Sequence, residues 1–359
     1  MGANLVNQNL FITSEAMNGK VFFNPKIFKA QDLAQVIQNA EEICNYDKYP
    51  GNLEMGSYEW ITNTAFKIDE LYKPDFLFLS YANPYYAAVY NSPDNLFWGE
   101  HIEALFSEIA RFLEETDYTP IIVGTGGTYP LEEKRDLAYL ESKVSYNWPG
   151  GVYASLYDAS YKEIKLLEKD KSIQMIIPQE RISAMSEEPN ELLPDYFLVA
   201  RRGYAFLEEN SSNIYRVNAR DAEIPVIAPR PIKNIGQINK LAKDLLASHK
   251  KVALIIMEGI SVADFKWEHQ ICSNTYSWFT YLPEEFQYLA IGTGVKISDL
   301  KIFANFCHTG EPFINYLNKL NLTPKTIGGK QNIRSVAIGS RQNLTRIASG
   351  ADIAIECGL

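Results

Sequence analysis

The run Gly124-Thr125-Gly126-Gly127, inside "IIVGTGGTYP" at 121–130, follows three branched apolar residues and presents backbone N–H groups that are barely shielded by side chains. Successive amides of this kind can cradle an anion such as a phosphate or a carboxylate. The spacing matches neither GxGxxG nor GxxxxGK followed by Ser or Thr, so no nucleotide loop is indicated. A tight turn at a strand end, where glycine tolerates the required φ, explains the run as well. Arg201, Arg202 and Tyr204 form a second cluster after an apolar stretch, and guanidinium groups there could hold a carboxylate or phosphate bidentately. Asn147 and Trp148, in "YNWPGG", add an amide and a ring able to stack on a flat substrate. A solvent-exposed bend with an aromatic plug is the plainer account of both clusters.

Metal and thiol chemistry have less to work with. The four histidines, His101, His249, His269 and His308, are scattered, and Cys44, Cys272, Cys307 and Cys357 show no CxxC spacing. Neither a zinc ribbon nor a disulfide framework is indicated, and reduced, mostly buried cysteines are expected. No cofactor is implied by any motif.

These residues must be positioned by a sizeable core. At 359 residues, 46% hydrophobic and 22% charged, the chain suits one large α/β domain or two smaller ones. A net charge of -10 argues against nucleic acid as a partner, since phosphate backbones are met by clustered Lys and Arg. The basic run "SHKK" at 248–251 reads as a solvated helix or loop end. No stretch of about 18 apolar residues appears, and "MGANLVNQNL" lacks the regions of a signal peptide, so a cytoplasmic protein without a membrane partner is expected. A small-molecule ligand is the expected partner, with a homo-oligomer left open. The 22 tyrosines suit a pocket, a contact surface or a core equally.

Strand and helix patterns alternate, which predicts a mostly parallel sheet covered on both faces. "DFLFLS" (75–80) and 120–124 read as strands around the helical pattern "EHIEALFSEIARFLEE" (100–115). "DYFLVA" (195–200), "IPVIA" (224–228), "KVALIIMEG" (251–259), "YLAIGTG" (288–294), "SVAIGS" (335–340) and "ADIAIEC" (351–357) read as further buried strands, with helical patterns at 235–249 and 311–320. "IIVGTGG", "LAIGTG" and "VAIGS" are irregularly spaced and read as three strand-to-loop exits rather than a repeat.

Taken together, "EWITNTAFKIDELYKPDFLFLSYANPYY", the helix after it and "YTPIIVGTGG" resemble the central part of the alkaline phosphatase superfamily, closest to its phosphonoacetate hydrolase and nucleotide pyrophosphatase branches. "LFITSEAMNGK" (10–20), "LPDYFLVARRGYAF" (193–206) and "YRVNARDAEIPVIAPRP" (215–231) are similar to further segments of that family, and "KKVALIIMEGISVADF" (250–265) to its opening strand. The resemblance implies a three-layer α/β sandwich in circularly permuted order. Residues 1–231 match the family's C-terminal part, 232–250 form a helical link, and 251–359 match its N-terminal part, all within one structural domain. Permutation is tolerated where termini lie close together at the surface, and two unrelated halves or a fragment of a tandem array are the competing accounts.

The family holds two zinc-like ions and uses a Thr or Ser nucleophile, because a phosphoryl group needs concentrated positive charge and an activated oxygen. Here Asn83 and Ala87 stand where the resemblance puts an Asp-x-x-x-His, Thr125 and Gly126 where it puts Asp-His, Asn218 and Ala219 near the last His, and Glu258 at the opening Asp. Glu284 or Glu285 takes the nucleophile's place. No metal ligand is therefore expected, and the glycine loop marks an emptied site. Glu258 with Glu284 and Glu285 could form a carboxylate pair for acid–base work, although acidic residues after Pro283 also suit a first helical turn. Asn83, Thr125, Asn147, Trp148, Arg201, Arg202, Tyr204 and Asn218 complete the expected substrate contacts. The resemblance leads first to a repurposed metal-independent enzyme acting on a small organic molecule in biosynthesis. The alternatives are a non-catalytic ligand- or partner-binding protein and a metal-dependent phosphodiester or phosphonate hydrolase with unusual ligands. A cleft filled by Tyr81, Tyr85 and Tyr86 would favour the non-catalytic case, and convergent Glu258, Asn83 and Arg202 the enzyme.

Overall fold

A strand that is apolar at every position has to be covered on both faces, and Val252–Met257 is such a strand, with all six residues buried. The computed structural model describes residues 10–13, 49–91, 95–146, 151–183, 194–207, 214–219, 221–274, 286–294, 325–327, 330–332, 335–340 and 353–357. Its central sheet has eight strands, numbered in chain order: β1 (Leu10–Thr13), β2 (Phe76–Tyr81), β3 (Thr119–Gly124), β4 (Glu223–Ile227), β5 (Val252–Met257), β6 (Gln270–Ser273), β7 (Ser335–Ser340) and β8 (Ile353–Cys357). Across the sheet they run β1-β8-β7-β2-β5-β3-β4-β6. The pairings from β1 to β3 are parallel, and β4 and β6 close one edge antiparallel. The fold is α/β with a mostly parallel central sheet.

The pleat divides the side chains between two cores. Phe76, Phe78, Ile121, Val123, Val252, Leu254 and Ile256 meet Ile238, Leu241 and Ala242 of the helix Gln237–Ala247. On the other face Leu77, Leu79, Ile122, Ala253, Ile255 and Met257 meet the helices α1 (Gly56–Tyr72) and α3 (Asn95–Glu115), which follow the 3.6-residue period expected of them. Each such aliphatic side chain contributes about 1.5–3 kcal/mol on burial. With both faces apolar, alternation cannot set the register of β5. The polar residues bounding it do: Lys251 Nζ pairs with Asp69 (3.1 Å) and Asp117 (2.7 Å) at one end, and Glu258 bonds to Ser80 at the other. Lys251 is thus a pinned residue, whereas the basic run around it reads from sequence as merely solvated.

Residues 232–250 contain the expected helix, which packs into the core, with Ile232 and Ile235 buried beside it. "YLAIGTG" is not a strand: Phe286–Thr293 is a helix, ending at Gly294 with φ +73. Its buried Ala290 and Ile291 join the same core, and a short apolar run fits a buried helix as readily as a strand. "LAIGTG" is accordingly a helix end, not a third strand exit. The pattern at 311–320 lies outside the described residues.

"DYFLVA" does form a strand, Tyr196–Ala200, but in a separate four-stranded antiparallel sheet with Lys143–Tyr146, Tyr153–Tyr157 and Ile173–Pro178. A third core lies here, where Tyr153, Leu156, Phe197 and Leu198 pack with Tyr85 and Val89 of the helix α2 (Asn83–Tyr90). The helix Tyr161–Leu167 on this lobe is closed by a capping box between Ser160 and Glu163. Two short ribbons join the lobes' elements, Thr128–Pro130 antiparallel with Arg216–Asn218, and Glu133–Arg135 parallel with Tyr204–Phe206. Cys272 is a buried free thiol in the first core, and burial pushes it up to about 12. No helix among the described residues is long and apolar enough to cross a membrane.

Candidate functional site

Because β2, β5 and β3 are parallel and in register, with Met257 opposite both Tyr81 and Gly124, the chain leaves all three strands at one level. Ala82, Glu258 and Thr125 follow at that edge, the carboxyl end of the sheet, where open α/β folds place their ligands.

The structure shows what approaches the glycine loop, and it is the protein itself. A Cβ on Gly124 would stand 2.6 Å from the carbonyl oxygen of Ile260 and 2.7 Å from Cγ of Pro225. One on Gly127 would stand 2.9 Å from Cβ of Ser261. Gly126, at φ +100, passes in front of the Asp221 carboxylate. The amide donors are spent in turn: Thr125 N–H on Met257 O (3.1 Å), Gly126 N–H on Ile260 O (3.1 Å), and Gly127 N–H on Asp221 Oδ2 (2.7 Å). The anion held by this cradle is an aspartate 94 positions further along the chain.

The expected site residues are placed as follows. Thr125 is 3% exposed; its hydroxyl accepts from Gly259 N–H (3.1 Å) and its carbonyl from Gln287 Nε2 (2.7 Å). Glu258 is fully buried, accepts from Ser80 Oγ (2.8 Å), and donates its own N–H to Tyr81 O (3.0 Å). Gly339 makes room for that pair, since a Cβ there would meet Ser80 Cβ at 2.5 Å. Asn83, at the start of α2, donates its amide to Asn52 O (3.0 Å), Gly51 O (3.3 Å) and Tyr49 Oη (3.2 Å), anchoring the loop ahead of α1. Tyr81 and Tyr85 are fully buried, with Tyr81 Oη bonded to Thr62 Oγ1 (2.9 Å), and Tyr86 stacks on Tyr90.

Arg201 turns away to Lys171 O (2.9 Å), and Tyr204 sits beneath the Lys171 ammonium. Arg202 lies over the Tyr129 ring, 5.6 Å from its centroid. Asn218 stands opposite Thr128 in its ribbon, 1% exposed, and among the described residues neither of its amide atoms has a hydrogen-bond partner. Asn147, Trp148, Glu284 and Glu285 lie outside the described residues. The structure therefore brings Thr125 and Glu258 to one edge, while Arg201 and Tyr204 sit with the Lys171 turn. Among the described residues no three of His, Cys, Asp and Glu converge as a metal-binding group would. His101, on the buried face of α3, bonds through Nδ1 to Tyr58 Oη (2.7 Å), and burial lowers its pKa.

Sequence reasoning passed over Asp221. The usable signal was that a run of glycine amides needs an acceptor, and "ARDAE" supplies an acid next to the Asn218 segment.

No family model and no curated protein matches this chain. Solved structures do. A phosphonoacetate hydrolase from Sinorhizobium meliloti 1021 in complex with phosphonoacetate is 16% identical over 62% of this chain and 65% of that one, with a TM-score of 0.43. The phosphonoformate complex of the same enzyme is 14% identical over 46% of this chain and 48% of that one, with a TM-score of 0.36. This chain thus spans less than two thirds of each of these two solved structures.

Proposed function

We propose that this protein is a ligand-binding, non-catalytic relative of the phosphonate and phosphodiester hydrolases that its sequence resembles, and that its chain order is a circular permutation of theirs. One observation carries the functional part: at the strand edge where the resemblance sets the metal site, the loop amides, Thr125 and Asn83 are all bonded to the protein's own groups. From sequence the polar replacements favour an open, working cleft, hence a metal-independent enzyme. In the structure Asn83, Thr125 and Glu258 make internal hydrogen bonds, and Tyr81 and Tyr85 beside them are fully buried. The permutation is supported by β5, which follows residue 250 yet lies parallel between β2 and β3, as an opening strand moved to a late position would.

The test is hydrolysis of p-nitrophenyl phosphate, bis(p-nitrophenyl) phosphate and phosphonoacetate with zinc or manganese supplied, together with melting curves with and without chelator. No turnover above buffer and no chelator effect are expected. Metal-dependent turnover, or a stoichiometric metal whose removal lowers the melting temperature, would overturn the reading and return the protein to the hydrolases.

A further inference from the structure

Beside the closed strand edge lies an open cleft of about 480 Å³, within the range of small-molecule sites. Its floor is one face of the antiparallel sheet, where Tyr153 and Phe197 stack at 5.2 Å and 23° and Met175 extends the apolar surface. Its other wall is the ribbon carrying Tyr129, with Asp221 just beyond. A sheet face opposite a ribbon leaves a slab-shaped gap, and aromatic groups on both sides suit a flat ring.

The charges restrict the ligand further. Arg202 lines the cleft and is solvent-exposed; among the described residues no carboxylate pairs with it, and the Tyr129 ring is its partner. The ring occupies one face of the guanidinium, so its in-plane N–H donors are available to a carboxylate. Asp221 also lines the cleft; Oδ2 accepts from Gly127 N–H, and an ionised carboxylate has capacity for further donors. One guanidinium balanced by one carboxylate suits a singly charged ligand and disfavours a dianion.

We infer that this cleft binds a planar aromatic monocarboxylate bearing a hydroxyl or amino donor, with Arg202 taking the carboxylate and Asp221 the donor. The inference rests on the ligand-binding reading above and names its site and ligand class.

The probe is 4-hydroxycinnamate, titrated by calorimetry into the full chain, with its neutral amide and 4-hydroxyphenyl phosphate as comparators. Saturable binding of the carboxylate is expected, and Arg202→Ala, an exposed position, should weaken it by about 10- to 100-fold. Replacing the probe by its amide should cost a similar factor in the parent protein and little more in Arg202→Ala. Asp221→Asn, which keeps an acceptor for Gly127, should weaken 4-hydroxycinnamate more than cinnamate. Absence of carboxylate binding, unchanged affinity in Arg202→Ala, or tighter binding of the phosphate than of the carboxylate would each overturn the inference. The two readings fail separately: metal-dependent phosphonoacetate turnover overturns the non-catalytic reading whatever the cleft binds, whereas a protein that neither turns over nor binds the probe overturns this assignment alone.

Discussion

Gly124→Ala tests whether the strand edge is as closed as described. The added methyl would stand 2.6 Å from Ile260 O and 2.7 Å from Pro225 Cγ, a backbone atom and a ring atom that have little freedom to move. Overpacking of this kind costs about 1–3 kcal/mol. Displacing Ile260 also weakens the bond that its carbonyl accepts from Gly126 N–H, worth about 0.5–1.5 kcal/mol. The lower entropy of an unfolded chain with alanine offsets about 0.4–1 kcal/mol. The net loss is about 0.5–4 kcal/mol, which is roughly 1–16 °C in melting temperature if this chain follows the 2–4 °C per kcal/mol of large domains. Gly99→Ala is the control, because Gly99 is exposed on α3 with nothing within 4 Å of the new methyl. Alanine in a helix interior should raise stability there by about 0.5–1 kcal/mol. Differential scanning fluorimetry reads both. A Gly124→Ala protein that melts at or above the parent would refute the close approach of Ile260 and Pro225.

Asn218→Leu replaces a buried amide that has no partner among the described residues by an apolar group of similar size, so melting should be unchanged or raised; a fall of several degrees would show that the amide holds something. Ser160→Ala should cost about 0.5–2 kcal/mol by removing the cap of the helix Tyr161–Leu167. The Ser160 hydroxyl, more than the Ser142 and Ser160 amides, holds Glu163 at about 2, below its ordinary 4.5, so that stabilisation is present above pH 4.5 and lost as the pH falls towards 2. Acid melting curves of Ser160→Ala should therefore be flatter across that window. Burial keeps His101 below 6.5, so its contribution is full above pH 6.5 and is lost as the pH falls beneath it; His101→Phe should remove that slope. Glu258→Gln keeps an acceptor for Ser80 Oγ and should leave 4-hydroxycinnamate binding unchanged, which calorimetry checks.

The central sheet is legible because its strands are short runs of apolar residues, such as Phe76–Tyr81 and Thr119–Gly124, separated by a helix with a clear apolar stripe. The antiparallel lobe was not: Tyr196–Ala200 is apolar like the central strands, and composition does not tell which sheet a buried strand joins. The helix at Phe286–Thr293 was missed because eight mostly apolar residues have no period long enough to read. At the candidate site, residue types were visible and partners were not. The glycine amides lie in one decapeptide, but the acceptor of Gly127 is 94 residues away, and Glu258 reaches back 178 residues to Ser80.

The position of β5 also bears on how the chain is made. β2 and β3 are not neighbours; each pairs with β5, which is completed about 130 residues after β3. At ribosomal rates that interval is on the order of 10 s. Until it ends, both strands present an apolar edge with unsatisfied backbone groups, the kind of surface that pairs with other chains. Synthesis therefore passes through a stage in which β3 holds only β4 and β2 has no neighbour at all, since β7 is made later still, and yield should depend on what guards those edges until β5 arrives.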